Sequence, residues 1–222
     1  MYKIKGEIKM QKKKMLKIVL WVLLVLILLY GIYILRNYII LNKLSKLAKE
    51  TINNDNYYAQ LLAFQGDDVV SIVESYNKDS KYLSIVNFYG PKKQNNQSLT
   101  VYNDNTEKMG VIQSGDHRVA LLNGENIVSG EVTVRNVFSE VPGILDKIKF
   151  SAISLIKSEQ CNLKDCYLIE LKDGWRMWID KETGLIIREI NGGFITNRKY
   201  TFDIVKDEDI SKPDITGCEI AD

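Results

Sequence analysis

Apolar residues follow three patterns along the chain: one uninterrupted run, helically spaced positions, and short runs separated by turn residues. The uninterrupted run extends from Ile18 to Leu35 and contains no charged residue. As a helix it would be about 27 Å long, close to the roughly 30 Å hydrocarbon thickness of a bilayer. We therefore predict a transmembrane helix over residues 18–36.

The alternative for this run is a cleaved signal peptide. The apolar part of a signal peptide is usually only about 7–15 residues long. The sequence that follows the run, RNYIILNKLSKLAKE, contains no small-x-small cleavage site. An uncleaved anchor therefore fits the pattern better.

Helically spaced apolar positions occur twice after this run. In residues 37–53 they alternate with lysines, which predicts a juxtamembrane amphipathic helix. In residues 139–153 the pattern follows Ser139, which can cap a helix, and includes Pro142, which is tolerated in a first turn. We predict a second helix there. Its recurring apolar positions are Val141, Ile144, Leu145, Ile148 and Ala152.

Short apolar runs separated by Gly, Asn and Asp turn residues fill most of residues 54–222. Runs such as VVSIVESY, closed by NKDS, and KMGVIQ, closed by SGDH, are typical of antiparallel strands joined by turns. The predicted fold class is α+β, with an N-terminal transmembrane helix followed by an antiparallel sheet. Two amphipathic helices can cover only part of one apolar face of a sheet of about ten strands.

Basic residues are concentrated near the N-terminus. The first 36 residues hold eight of the 30 basic and one of the 28 acidic side chains, so the remainder, with 22 basic and 27 acidic, carries a net charge of −5. The positive-inside rule places the basic tail, residues 1–17, in the cytoplasm. We expect a single-pass protein of the cell membrane whose C-terminal domain is extracytoplasmic. The acidic balance of that domain argues against nucleic acid as a partner.

Candidate catalytic and metal-binding groups are sparse. Asp180 and Glu182 share a predicted turn, but no histidine or nucleophile is near them in sequence. His117 is the only histidine, and one histidine does not make a typical zinc site. The sequence also lacks a Gly-rich phosphate loop and the G-x-S-x-G and H-E-x-x-H motifs. We therefore predict no enzyme activity, no metal site and no cofactor.

The order of elements and one late motif resemble a known family. A helix, a run of antiparallel strands, an interrupting helix and a W-x-D-x-x-T-G-L hairpin are similar to the LolA/LolB lipoprotein-carrier superfamily, which includes the RseB-like periplasmic regulators. The resemblance implies a strongly curved, incomplete β-barrel with helices on its concave face. It also implies an apolar cavity, which in the family holds acyl chains or an extended peptide. The matching residues are Trp178, Asp180, Thr183, Gly184 and Leu185.

A spanning helix departs from this family, whose carriers are soluble or lipid-anchored. The juxtamembrane helix, about 25 Å long, is too short to let the domain carry cargo across a wide periplasm. We therefore expect a binding or sensing module for a lipid-like or peptide ligand beside the bilayer. The alternative is a regulatory protein that docks on another membrane protein without a small ligand.

One set of alternating apolar residues in the late strands is the candidate lining of a ligand cavity. Plain core packing is the alternative for each of them, because most alternating apolar residues belong to a core. The candidates are Tyr167, Ile169, Leu171, Met177, Ile179, Leu185 and Ile187.

Three cysteines are present, and disulfides are permitted outside the membrane. Cys161 and Cys166 bracket NLKD, which as a four-residue turn would place the two cysteines opposite one another in a hairpin. We predict a Cys161–Cys166 disulfide, with free thiols or pairing to Cys218 as the alternatives.

Overall fold

The structure is a computed structural model that describes residues 2–52, 55–90, 96–104, 106–122, 137–138, 141 and 143–221, with the side chains of the first helix from Lys14 onward. Within these residues it contains two α-helices, one short 3-10 helix and one sheet of twelve strands. The predicted α+β class is confirmed. The helices are α1 (Tyr2–Ile52) and α2 (Ile144–Ile153). The strands are β1 (Tyr57–Gln65), β2 (Asp68–Lys78), β3 (Lys81–Phe88), β4 (Gln97–Asn103), β5 (Lys108–Ser114), β6 (His117–Leu121), β7 (Leu155–Cys161), β8 (Lys164–Glu170), β9 (Arg176–Asp180), β10 (Ile186–Asn191), β11 (Phe194–Phe202) and β12 (Glu219–Ala221).

The strands form two antiparallel meanders that meet in the middle of the sheet. Strands β1 to β6 are neighbours in chain order, as are β7 to β11, and β1 pairs with β11 along the whole length of both strands. At the two ends of the sheet lie β7 and β12, so the sheet is not closed. The antiparallel meander is thus confirmed. The sequence did not predict β12, which pairs in parallel with β6.

A single uninterrupted helix, α1, includes the predicted basic tail, membrane helix and juxtamembrane helix. Its apolar run is long and apolar enough, by length and composition, to cross a membrane. All side chains in residues 18–32 are exposed, whereas Asn37, Leu41 and Leu44 are buried. The helix therefore has a bare apolar part followed by a part that packs on the domain.

The C-terminal part of α1 packs against the second meander. Leu41 and Leu44 join a core cluster with residues of β7, β8, β9 and β10, and Phe150 of α2 packs against the same cluster. The buried residues of this cluster are Leu41, Leu44, Val137, Phe138, Ile156, Ile169, Met177, Ile179 and Ile186.

The apolar side of α2 that was predicted to pack on the sheet points outward instead. Ile144, Leu145 and Ile148 are 71%, 72% and 40% exposed. The side facing the core carries Phe150 and the fully buried Ser151. The apolar spacing located the helix, but it did not identify the face that packs.

The start of α2 is also later than predicted. The helix begins at Ile144, and Gly143 is its N-cap, without a side-chain hydrogen bond. Ser139 and Pro142, the predicted cap and first-turn residues, lie outside the described residues.

The C-terminal segment after β11 packs against one face of the first meander. Val205, Ile210 and Ile215 contact a row of side chains that strand register places on the same face of β1 to β5. That row consists of Tyr58, Tyr76, Leu83, Tyr102 and Met109. The end of the chain, KDEDISKPDITGCEIAD, is mostly polar in sequence and did not predict this part of the core.

Gly184, in the turn between β9 and β10, has a φ of +70° and lies against the backbone of α1. A Cβ at this position would be 2.2 Å from the carbonyl oxygen of Leu44 and 2.7 Å from the amide nitrogen of Ala48. We predict that Gly184→Ala lowers the free energy of unfolding, because the positive φ costs about 1–2 kcal/mol and the overpacking costs about 1–3 kcal/mol more. Thermal unfolding of the full chain in detergent, followed by circular dichroism, measures this loss.

The matched control for this substitution is Gly192→Ala. Gly192 has a φ of +56°, and no heavy atom lies within 4 Å of a Cβ built there. This variant should therefore show only the backbone part of the loss. Equal losses in the two variants would show that the contact between Gly184 and α1 does not constrain the fold.

Candidate ligand pocket between β10 and β11

Two neighbouring strands, β10 and β11, separate from each other partway along their length. They pair only over Arg188–Asn191 and Phe194–Asn197, whereas β11 continues to Phe202 with β1 beside it. The register between β9 and β10 shifts between Ile186 and Arg188. A bulge of this kind bends a strand away from regular pairing. The second half of β11 therefore has β1 on one side and a gap toward β10 on the other.

A pocket of about 400 Å³ lies in this gap. Its size falls within the roughly 300–1,000 Å³ of small-ligand pockets. Two hairpin turns contribute to its wall: the β7–β8 turn and the β9–β10 turn. The lining residues are Asn162, Lys164, Thr183, Leu185, Ile187, Arg198, Lys199, Tyr200 and Phe202.

The lining of the pocket is positively charged and partly apolar. It includes three basic side chains and, among the described residues, no acidic one. Nζ of Lys164 lies 2.6 Å from Oδ2 of Asp180, so this lysine is neutralised by a carboxylate outside the lining. Lys199 forms no ion pair with the described part of the chain. Because Arg198 is likewise paired, with Glu189, the positive charge that the pocket retains is that of Lys199.

The third basic group of the pocket lining is the guanidinium of Arg198, a residue that is 9% exposed. Its Nη2 donates to Oε2 of Glu189 at 2.9 Å, and the other oxygen of Glu189 accepts a hydrogen bond from the indole of Trp175 at 2.8 Å. Nη1 of Arg198 has no hydrogen-bond partner among the described residues. A buried donor left without a partner is costly, so an acceptor supplied by a ligand would stabilise this site.

Only two of the seven predicted ligand-binding residues, Leu185 and Ile187, line this pocket. Ile169, Met177 and Ile179 lie instead in the core cluster beneath α1, and Tyr167 packs at its edge. The amide of Leu171 donates to the carbonyl of Trp175 in the β8–β9 turn.

The predicted alternation also places Ile187 of β10 on the wrong face of the sheet. Ile187 packs with Cys166, Leu168 and Trp178, on the face opposite Met177. Ile186, which pairs with Ile179 before the bulge, is the β10 residue that faces the core cluster beneath α1.

Four lining residues from β11 were missed by the sequence analysis: Arg198, Lys199, Tyr200 and Phe202. The apolar run KYTFDIV, residues 199–205, indicates a strand at this place. Nothing in the run indicates that β10 pairs with only half of β11.

The W-x-D-x-x-T-G-L hairpin, residues 178–185, holds the turns together. Asp180 is 1% exposed and accepts hydrogen bonds from Nζ of Lys164 at 2.6 Å, from the amide of Glu182 at 3.0 Å and from Oγ1 of Thr183 at 3.0 Å. The carbonyl of Thr183 accepts a hydrogen bond from Thr51 at the end of α1, at 3.1 Å. The motif thus joins two hairpin turns and α1, which is a structural role.

The second hairpin turn differs from the prediction. β7 and β8 are joined by a two-residue turn, Asn162 and Leu163, both with positive φ, so Cys161 lies opposite Lys164 and not opposite Cys166. Diagonal neighbours in an antiparallel pair are about 7–8 Å apart, whereas the Cβ atoms of a disulfide are about 3.8 Å apart. Both cysteines are buried free thiols in the structure, and the predicted bond is not formed.

The described residues contain no group of three or more His, Cys, Asp or Glu side chains placed to hold a metal ion. His117, at the start of β6, lies 3.7 Å from Glu219 and is exposed.

Asp180 should make the hairpin sensitive to acid. Burial alone would raise its pKa, but the hydrogen bonds from Lys164, Glu182 and Thr183 outweigh burial and hold the pKa below the ordinary value. A lowered pKa contributes stability above the unfolded value of about 3.9, and this contribution is lost as the pH falls further. We predict that Asp180→Asn lowers the melting temperature at neutral pH and flattens its decline below about pH 4.

Melting temperatures across this pH range test the effect. Asp116→Asn, in the exposed β5–β6 turn, is the control and should follow the wild-type profile. A parallel decline of wild type and Asp180→Asn would contradict the structural role of this carboxylate.

The buried thiols should react slowly with alkylating agents. Burial raises the pKa of Cys161, and it raises the pKa of Cys166 to about 11, so few thiolates are present near neutral pH. We predict that iodoacetamide labels the partly exposed Cys218 first, and labels the other two only after denaturation. Peptide mass spectrometry of the full chain measures the order of labelling. A disulfide-linked peptide containing Cys161 and Cys166 would instead restore the original prediction.

Comparisons with known proteins add no relative to this picture. No protein-family model matches the chain, and no curated protein matches it significantly. The resemblance to the LolA/LolB superfamily stays a prediction, and the function is inferred from the pocket and its surroundings.

Proposed function

We propose that the chain is a membrane-anchored, extracytoplasmic binding module without catalytic activity, and that its ligand occupies the pocket between β10 and β11. The apolar run of α1 provides the anchor. The lysine-rich segment before it favours a cytoplasmic N-terminus. The ligand is an anionic, extended segment, for which a peptide fits the surroundings better than a lipid.

The observation that carries this proposal is the half of β11, residues 198–202, that pairs with β1 but not with β10 and borders a basic pocket. In residues 198–202, alternate backbone N–H and C=O groups point away from β1 and toward the gap. An extended peptide can add to such an edge by main-chain hydrogen bonds, while neighbouring pockets select its side chains. Lys199 supplies positive charge for an acidic group, and Nη1 of Arg198 supplies a hydrogen-bond donor. Leu185, Ile187 and Phe202 supply apolar contacts.

The position of the pocket favours a peptide over a bilayer lipid. The pocket residue Thr183 is hydrogen-bonded to Thr51 of α1. Thr51 lies about 22 Å along the helix beyond Arg36, the first charged residue after the apolar run. A lipid whose chains remain in the bilayer does not reach this distance. An extracted lipid remains the competing ligand in the experiment below.

Curvature of the sheet is part of the same proposal. Strand register places Ala59, Ser75, Ser84 and Val101 on one face, and each is fully buried. Small buried side chains in neighbouring strands suit the concave side of a curved sheet. We propose that this face continues into the surface on which α1 packs, so that the helix lies on the concave side.

Binding of a short acidic peptide tests the proposal. The probe is a fluorescein-labelled pentapeptide of alternating valine and glutamate, titrated against the full chain in lipid nanodiscs. We predict saturable binding that weakens about tenfold or more in Lys199→Glu, because charge reversal places a carboxylate beside the ligand's own. Lys172→Glu makes the same change in net charge at an exposed position in the β8–β9 turn and should bind like wild type.

Two results would contradict the peptide proposal. Equal affinities in the two lysine variants would show that the peptide binds elsewhere. An acyl lipid that copurifies with wild type, and is lost in Lys199→Glu, would assign the pocket to a lipid-like ligand.

A further inference from the structure

An exposed apolar stripe follows the outer side of α2. Ile144, Leu145 and Ile148 are spaced at three and four residues and are 71%, 72% and 40% exposed. Ala152 continues the stripe toward the end of the helix. The opposite side of α2 packs on the core through Phe150, so the helix carries large apolar side chains both on its core side and on its outer side. An exposed cluster of large apolar residues marks an interaction surface.

The C-terminal end of α2 is tied to α1 just beyond its bare apolar part. The side-chain amide of Asn37 donates to the carbonyls of Ser151 at 3.0 Å and Ser154 at 2.9 Å. The hydroxyl of Tyr33 also donates to the carbonyl of Ser154. Tyr30, one turn earlier in α1, donates to the carbonyl of Ala152 at 3.4 Å.

These hydrogen bonds satisfy carbonyl groups that the end of a helix otherwise leaves without partners. Toward the hydrocarbon layer of a bilayer water becomes scarce, and unsatisfied backbone groups become costly. Donors on α1 therefore suit α2 to a position close to lipid.

The length of α1 indicates the same position. Residues 18–32, all exposed, extend about 22 Å as a helix. The hydrocarbon layer is about 30 Å thick, so if it begins at Ile18 it extends roughly 8 Å beyond Ile32. At that height lie Tyr33 and Asn37 with the end of α2 beside them. Because α2 is only about 15 Å long, its outer side stays at the depth of the outer hydrocarbon edge and the headgroups.

We propose that α2 is an interfacial helix whose apolar stripe, Ile144, Leu145 and Ile148, inserts into the outer leaflet of the bilayer that α1 crosses. This inference rests on the proposed membrane anchor. Lys149, on the flank of the stripe and 77% exposed at its side chain, extends toward the headgroups. The domain is thus held at two points: a spanning helix and a surface helix.

Depth measurements on the full chain test the inference. Single cysteines at positions 144, 145 and 148, in a chain with its three native cysteines replaced, are labelled with an environment-sensitive fluorophore and reconstituted in liposomes. Some of the lipids carry a nitroxide quencher near the headgroup, and others carry it near the chain end. We expect headgroup-side quenching about twofold or more above that at position 163. Leu163, at the tip of the β7–β8 turn, is 98% exposed and serves as the matched apolar control.

A label at position 26, in the middle of the bare part of α1, separates the two proposals. One outcome is quenching at position 26 by the chain-end nitroxide, with no more quenching at positions 144, 145 and 148 than at 163. This outcome would overturn the surface helix and leave the anchor intact. No quenching at position 26 would overturn the anchor, and with it the proposed function. Circular dichroism melting of each labelled chain confirms that the exposed substitutions leave the fold unchanged.

Discussion

One continuous helix, α1, is exposed along its apolar run and buried in the domain further on. Much of the structure depends on this change along a single helix. Residues 18–32 of this helix are apolar on every side and exposed, whereas the part beyond residue 32 buries Asn37, Leu41 and Leu44 in the domain. A rigid helix transmits any shift along its axis from one part to the other. The contacts at the domain end therefore also set the distance between the sheet and the apolar run. Gly184 fixes that distance by backbone contact, and Asn37 fixes it by hydrogen bonds to α2.

Two buried carboxylates, Asp180 and Glu189, hold neighbouring groups in place. The carboxylate of Asp180 accepts hydrogen bonds from its own turn and from Lys164. The carboxylate of Glu189 accepts hydrogen bonds from Arg198 and Trp175. Buried charges persist in folded proteins when they are paired and hydrogen-bonded in this way. Because the two hairpin turns are joined through Asp180, they act as one wall. The gap between β10 and β11 lies between that wall and the long central pair of β1 and β11.

The parts of the fold that follow from local pattern were predictable, and the parts that follow from register were not. Alternation located strands such as β3, in which every second residue is buried. The contacts of Val205, Ile210 and Ile215 could not be read from the sequence, since these residues are isolated in a polar segment without a period. The pocket depends on a bulge near Ile187, which composition does not encode. The cysteine geometry depends on Leu163 adopting a φ of +64°, which is unusual for leucine.

The pairing of β1 with β11 has a consequence for how the protein matures. Their residues are separated by well over a hundred positions in the chain, so β1 lacks its second neighbour until nearly all of the polypeptide has left the ribosome. Contacts of such high sequence separation form slowly. During synthesis the first meander therefore presents an unprotected strand edge, which favours aggregation.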